Sequence, residues 1–370
     1  MKTCMIAIAA AAFAAGACHA QTSKVTIYGK LNVDLESVKA GGASTTRVTN
    51  NSSLIGFRGE EDLGGGLRAL FQIENSVSLD TGAGTIAGRN SGVGLRSNYG
   101  TLIMGQWDTP YKAMTIRLDP FTNKTIAAYG DVLYGDASKT AANAANRNSF
   151  DRRQRNVIEY WSPNVAGFSG QLAYGVNEEK GTCAVACNPK LWSLAGGYEK
   201  GPLFLSAAYE QHDQYANTAT ARTRDRAFKV GGAYIFGSTT VSAMAERLRY
   251  SGNLAATGLP KTFKAGAAQE ATLDTLWLGM THRIGAGTLR LALGESRDLK
   301  LDRGGAPDTD ARYVALGYGY ALSKRTEAYA MLVKIKNGAN SRNDFALNSI
   351  DGVTNGASPQ GVGLGMTHSF

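Results

Sequence analysis

A chain of 370 residues with 45 glycines and only 8 prolines is Gly-rich, yet no Gly-X-Y period runs through it, which excludes a collagen-like fibre. Hydrophobic residues make up 43% while mean hydropathy is −0.20, so apolar residues alternate with polar ones, and after residue 20 no run approaches the ~20 apolar residues of a membrane-spanning helix. Lys and Arg number 39 against 30 Asp and Glu, a net charge of +9 with no like-charge block, so no nucleic-acid partner is expected.

The first twenty residues, MKTCMIAIAAAAFAAGACHA, set one Lys ahead of an apolar stretch that ends in small residues, with Cys18 and Ala20 at −3 and −1 of a cleavage site. This pattern predicts a secretory signal peptide over residues 1–20, cut after Ala20, and hence an exported chain over 21–370.

From Lys24, Val25, Ile27, Leu31, Val33 and Leu35 alternate with Thr26, Tyr28, Lys30, Asn32, Asp34 and Glu36. One face is apolar and the other charged, the period-2 signature of a strand. The rhythm returns at Leu67, Ala69, Phe71 and Ile73 against Arg68, Gln72 and Glu74, and at Leu289, Leu291 and Leu293 against Arg290. Alternation often runs for ten residues or more, where strands of soluble sandwiches average ~5 to 6. That length favours a membrane barrel.

Turn signals divide the chain into sixteen segments that begin near residues 24, 51, 65, 88, 100, 153, 167, 190, 202, 225, 239, 269, 287, 308, 325 and 360. An even count, with about 22 residues per strand and connection, suits an outer-membrane barrel. Short turns at 61–66, 98–100, 285–287 and 322–324 then belong on the periplasmic side. Longer polar links, at 39–50, 78–88, 177–189, 212–224, 251–268, 298–309 and 337–359, belong outside.

The segment from Asp108 to about Phe150 exceeds the ~12 to 15 residues of an ordinary structureless loop, so a functional role or disorder is expected of it. Its apolar content argues against disorder. Met114, Ile116, Leu118, Phe121, Ile126, Tyr129, Val132 and Leu133 are expected to anchor it to a wall, leaving Asp108, Asp119, Asp131 and Asp136 facing water. Further on, Cys183 and Cys187 in GTCAVACNPK are expected to form a disulfide in an oxidising compartment, since neighbouring ligands for a metal are lacking.

Aromatic residues gather near strand ends, among them Tyr160, Trp161, Tyr174, Trp192, Tyr198, Tyr234, Phe236, Trp277, Tyr318 and Tyr320, as interfacial girdles require. The chain ends GVGLGMTHSF, with Val362, Leu364, Met366, His368 and Phe370 on one face. Past the leader, the histidines His212, His282 and His368 lie in no catalytic motif, and neither GxSxG nor HExxH spacing occurs. No enzyme, cofactor or metal is expected.

Taken together, VTIYGKLNVDLE, SSLIGFRGEEDLGGGLRALFQIE, RNSGVGLRSNYGTLIMGQW, RRQRNVIEYWSPNVAGFSGQLAYG and GLGMTHSF resemble, in order and spacing, the strands of the Gram-negative general-diffusion porins. The resemblance covers essentially all of residues 21–370. It implies an all-β fold, a sixteen-stranded antiparallel transmembrane barrel in the outer membrane whose third extracellular loop, 108–150, folds into the lumen as a constriction. It also implies a homotrimer that diffuses small hydrophilic solutes and ions, contacts outer-membrane lipids and lipopolysaccharide, and is inserted by the barrel assembly machinery, with Phe370 as its C-terminal assembly signal.

Carried over residue by residue, the family's basic constriction wall falls on Arg89 and Arg153, with Arg155 two residues on, and its acidic loop on Asp108, Asp119 and Asp131. Leu54 and Gln106 stand where many relatives carry Arg. Lys30, Arg58 and Arg68 occupy inward positions by alternation and are expected to compensate. The basic excess implies anion preference; a solute-specific channel with a lumenal binding ladder is the other reading.

Overall fold

In the computed structural model the described residues are 24–370 except 123–124, 134–149, 151, 177–184, 186, 216, 218–221 and 351. The leader at 1–20 therefore lies outside the described residues, as does Asp136.

The strands are β1 (Lys24–Ala40), β2 (Ala43–Asn50), β3 (Leu54–Gly64), β4 (Leu67–Val77), β5 (Gly84–Thr85), β6 (Ser91–Ser97), β7 (Gly100–Asp108), β8 (Arg153–Trp161), β9 (Phe168–Gly175) and β10 (Lys190–Lys200). They continue as β11 (Leu203–Asp213), β12 (Arg224–Phe236), β13 (Thr239–Ser251), β14 (Glu270–Ile284), β15 (Gly287–Ser296), β16 (Lys300–Leu301), β17 (Ala311–Ala321), β18 (Thr326–Asn337) and β19 (Gln360–Ser369). Each pairs antiparallel with its neighbours. β19 returns to β1, with Lys30 opposite Ser369 and Lys39 opposite Gln360, so the sheet closes on itself.

Three pairs of segments lie end to end along one neighbour: β2 and β3 on β1, β5 and β6 on β4, β15 and β16 on β14. The nineteen segments thus make sixteen staves, the number read from the turn signals. Closure leaves no open edge, so strand backbone groups can pair away from water.

One boundary differs from the sequence reading. The long link placed at 39–50 is instead a tight turn at 41–42 followed by β2, whose Thr45, Thr46 and Val48 are β-branched strand formers. The break in this stave comes later, at 51–53. There Ser52 takes a positive φ of 56°, the Asn51 N–H donates to Asn32 O at 2.8 Å, and Ser53 Oγ accepts the Asn32 N–H at 2.8 Å.

Alternation sorts the wall into two faces. Val25, Ile27, Leu35, Val93, Leu205, Leu278, Leu316 and Leu364 are exposed on the outer one, while Asn32, Asp34, Glu36, Glu159, Glu210 and Glu246 are buried on the inner one. Tyr234, Phe236, Tyr318 and Tyr320 crowd the outer rim on the short-turn side; Trp192 and Phe228 lie outward near the long-loop side. Trp277 is not part of either girdle. It points inward, 1% exposed, and packs against Tyr129 and Tyr313 with ring centroids 6.0 and 5.0 Å apart.

At the seam, Phe370 and Gly29 exchange two backbone hydrogen bonds of 3.1 Å. A side chain at Gly29 would collide with the Phe370 ring, so the terminal aromatic lies directly over a residue without a Cβ.

Candidate functional site

The connection between β7 and β8 carries the largest body of described structure not in the wall. Its apolar residues Leu118, Phe121, Ile126, Tyr129, Val132 and Leu133 are all buried against inward side chains of β10 to β19. Polar ties reinforce the packing. The Tyr111 N–H donates to Ser193 Oγ at 3.0 Å, Ser242 Oγ donates to Leu118 O at 2.6 Å, and Tyr313 Oη donates to Ala127 O at 2.6 Å. Tyr111 Oη donates to Glu246 Oε1 at 2.7 Å; burial, then the Glu246 carboxylate, holds this phenol protonated well above its ordinary range.

Close approach is possible because the wall is glycine-lined where the loop touches it. A Cβ at Gly231 would stand 2.6 Å from Leu118, at Gly279 2.8 Å from Pro120, at Gly317 2.6 Å from Phe121, at Gly294 2.7 Å from Val132 and at Gly361 2.8 Å from Ile126. These glycines lie on β12, β14, β17, β15 and β19.

On the part of the inner wall that this packing leaves uncovered, four of the basic residues expected from sequence, Arg58, Arg89, Arg153 and Arg155, come together. The Arg58 guanidinium lies 4.9 Å from the Tyr28 ring centroid. Tyr28 Oη donates to Glu74 at 3.0 Å, and Arg89 approaches the same carboxylate at 3.8 Å. Arg153 reaches Asp108 at 3.0 Å and donates through Nε to Asn90 Oδ1 at 2.7 Å. Lys112, from the start of the loop, closes on Asp108 at 3.3 Å. Asp108 therefore sits inside the arginine cluster rather than opposite it. Arg155 is exposed and donates to Gln106 Oε1 at 3.2 Å; Gln106 in turn donates to Arg89 O at 3.1 Å.

Asp119 and Asp131 require a correction. Both are 2% exposed and do not face water. Asp119 accepts the N–H groups of Phe121 at 2.9 Å and Tyr129 at 3.2 Å, folding the loop on itself. Asp131 accepts the Ala346 N–H at 2.7 Å, while its carbonyl accepts Asn343 Nδ2 at 3.0 Å, which ties the loop to the connection between β18 and β19. Buried backbone donors need acceptors, and these carboxylates supply them.

Lys30 lies apart from this cluster, on an inner cavity of about 350 Å³ shared with Asn32, Phe121, Arg290, Glu327 and Tyr329. Arg290 grips Glu327 through bonds of 3.1 and 2.8 Å. Arg68 stands toward the short-turn rim, 3.4 Å from Glu60 and open to solvent, and Arg96 contacts the same Glu60. Lys112, Arg96, Arg117 and Arg290 were not named as pore residues from sequence. Inward parity marks Arg96 and Arg290. No periodicity speaks for Lys112 or for Arg117, which sits on the loop and meets Glu199 through two bonds of 2.8 Å.

Cys187 is disulfide-bonded, but Cys183 lies outside the described residues. Among the described residues no His, Cys, Asp and Glu grouping could hold a metal ion.

A closed sixteen-stave barrel, apolar outside and lined within by charge, is an outer-membrane channel protein. The family model described as Gram-negative porin matches residues 7–340, and the chain belongs to that family. Outer membrane porin protein 32 of Delftia acidovorans is 28% identical over the full length of both chains, and an outer membrane porin protein of Bordetella pertussis is 28% identical, again over all of both. The solved structure of an anion-selective porin from Comamonas acidovorans superposes with a TM-score of 0.76 at 26% identity, covering 94% of this chain and all of that one. This chain forms a porin channel in the outer membrane.

Proposed function

We propose that the channel passes small hydrophilic solutes passively and prefers anions, with the 108–150 loop narrowing the lumen. The observation that carries this is the inner cluster in which Arg58, Arg89, Arg153 and Lys112 gather about Glu74 and Asp108. Charges 4 Å apart interact by about 4 kcal/mol at an effective dielectric of 20 against ~1 kcal/mol in water, so a confined cluster biases which ions enter. The anion selectivity named for the Comamonas porin supports the sign. No covalent step and no cofactor is part of this reading.

The membrane setting proposed with it is a homotrimer among outer-membrane lipids and lipopolysaccharide, inserted by the barrel assembly machinery after loss of residues 1–20, with a Cys183–Cys187 disulfide in an outer loop. A second reading, a solute-specific channel, draws on the cavity where Lys30, Arg290 and Glu327 offer both signs of charge beside Phe121.

Reversal potentials across planar bilayers under a salt gradient test the first reading. Arg153→Ala leaves Asp108 less compensated, so the anion-to-cation permeability ratio is expected to fall roughly two- to threefold, and Asp108→Asn to raise it. Cation preference in the unmodified protein, or no change in Arg153→Ala, would overturn it. Flux that saturates with one solute would instead favour the solute-specific channel.

A further inference from the structure

On the outer face of β12 and β13, beside the long loops, a group of arginines carries more charge than its surroundings neutralise. Alternation puts Arg224, Arg226, Phe228 and Val230 of β12 outward, and Arg247 and Arg249 of β13 beside them. The register sets Arg226 directly opposite Arg249. Like charges facing each other across a strand pair destabilise it. Two of the nearby carboxylates are engaged, Asp274 by Arg247 at 2.6 Å and Asp213 by Arg224 at 2.6 Å, which leaves Glu270 against the remaining arginines. Arg226 and Arg249 make no ion pair among the described residues.

These side chains border a recess of about 370 Å³ that Arg222, Arg224, Arg226 and Arg249 line together with Asp213 and Glu270, four cations against two anions. Its depth is fixed by what lies beneath. Outward on the same strand, Phe228 is 52% exposed, followed by Val230, with Leu276 and Leu278 exposed on β14. Arg226 is two residues further toward the rim, about 7 Å along the strand. The guanidiniums therefore begin where the apolar band ends, at the depth where an outward Arg costs least and phosphate headgroups lie.

We propose that this recess binds the phosphorylated headgroup of an outer-leaflet glycolipid, with Arg226 and Arg249 sharing one phosphate. The planar forks of two arginines match phosphate oxygens bidentately, and a bound dianion converts their mutual repulsion into attraction to a common partner. A free phosphate ion offers the same oxygens but no acyl chains to lie along Phe228 and Val230, and the lipid is the occupant argued for here. The inference deepens the lipid-contact part of the proposed membrane setting and is independent of pore selectivity.

The test uses full-length protein in detergent, stripped of co-purified lipid and offered lipid A with both phosphates or lipid A with its phosphates removed. Native mass spectrometry counts the retained lipid. Wild type is expected to retain the phosphorylated form, and Arg226→Ala with Arg249→Ala to bind it roughly tenfold more weakly. Arg226→Lys with Arg249→Lys is expected to bind at an intermediate level, since charge remains but the bidentate fork is lost. Unchanged conductance and heat-modifiable gel mobility report that the variants fold; Arg249→Gln alone serves if the double alanine variant does not. Equal retention of both lipids, equal retention by wild type and the alanine variant, or displacement of the lipid by millimolar inorganic phosphate would overturn the proposal. Loss of anion preference in wild type with lipid binding intact would remove the pore reading and leave this one standing.

Discussion

Lys261 shows what a single residue can do without any mark in the sequence. It sits in the connection between β13 and β14, 5% exposed, and donates to Ser341 Oγ at 3.0 Å and Asn343 Oδ1 at 2.8 Å. Burial pushes its ammonium down to about 7, against the opposing pull of Asp310 and Asp298. Below pH 7 the lysine is charged in both the closed and the opened loop, so the penalty for burying charge stands in full. Between 7 and its ordinary 10.5 the opened loop binds the proton that the closed one has shed, and closure gains stability as pH rises. Amide exchange over 338–350, corrected for its intrinsic pH dependence, is expected to slow by up to roughly tenfold per pH unit in that window, and Lys261→Met to abolish the trend. Protection that falls across the window would contradict this sign. Arg89 and Arg153, by contrast, were legible because their motifs carry a family resemblance. Asp119 and Asp131 were misread because residue type does not tell whether a carboxylate faces water or accepts buried N–H groups.

At the level of elements, the loop from β7 to β8 and the wall behind it are complementary halves of one surface. The apolar anchors Leu118, Phe121, Ile126, Tyr129, Val132 and Leu133 were readable, since a long polar-looking link does not carry so many large side chains without a place to bury them. Their receiving glycines were not, because a strand glycine looks in sequence like a weakness rather than a socket. Gly317→Val places new atoms where Phe121 already lies, 2.6 Å from the Cβ position. Overpacking of this kind costs ~1 to 3 kcal/mol. It is expected to lift the loop locally and give single channels with higher, noisier conductance while the barrel still forms. Gly196→Ala is the matched control: its Cβ would meet only Ser169 O, at 3.9 Å, and no change in conductance is expected.

For the whole molecule, the closed wall was the most legible feature, since a two-residue rhythm repeated along the chain admits few other shapes. The 39–50 link was misplaced because ASTTRVTN lacks the large apolar residues that announce the other strands, although its threonines pair well. The seam runs from Lys39 opposite Gln360 to Lys30 opposite Ser369 and is finished by Phe370. Removing Phe370 deletes both 3.1 Å bonds to Gly29 and the ring that covers it. Refolding into detergent or vesicles, followed by heat-modifiable gel mobility, is expected to slow severalfold; an unchanged rate would show that the seam closes without it. The connection between β18 and β19 adds a consequence of its own. Through Asn343 and Ala346 it is tied to Asp131 of the β7–β8 segment, so an antibody raised against that connection is expected to pull on a cord fastened to the loop. Steps in single-channel current on adding that antibody are the expected outcome, and an unaltered trace would show that the cord carries no strain.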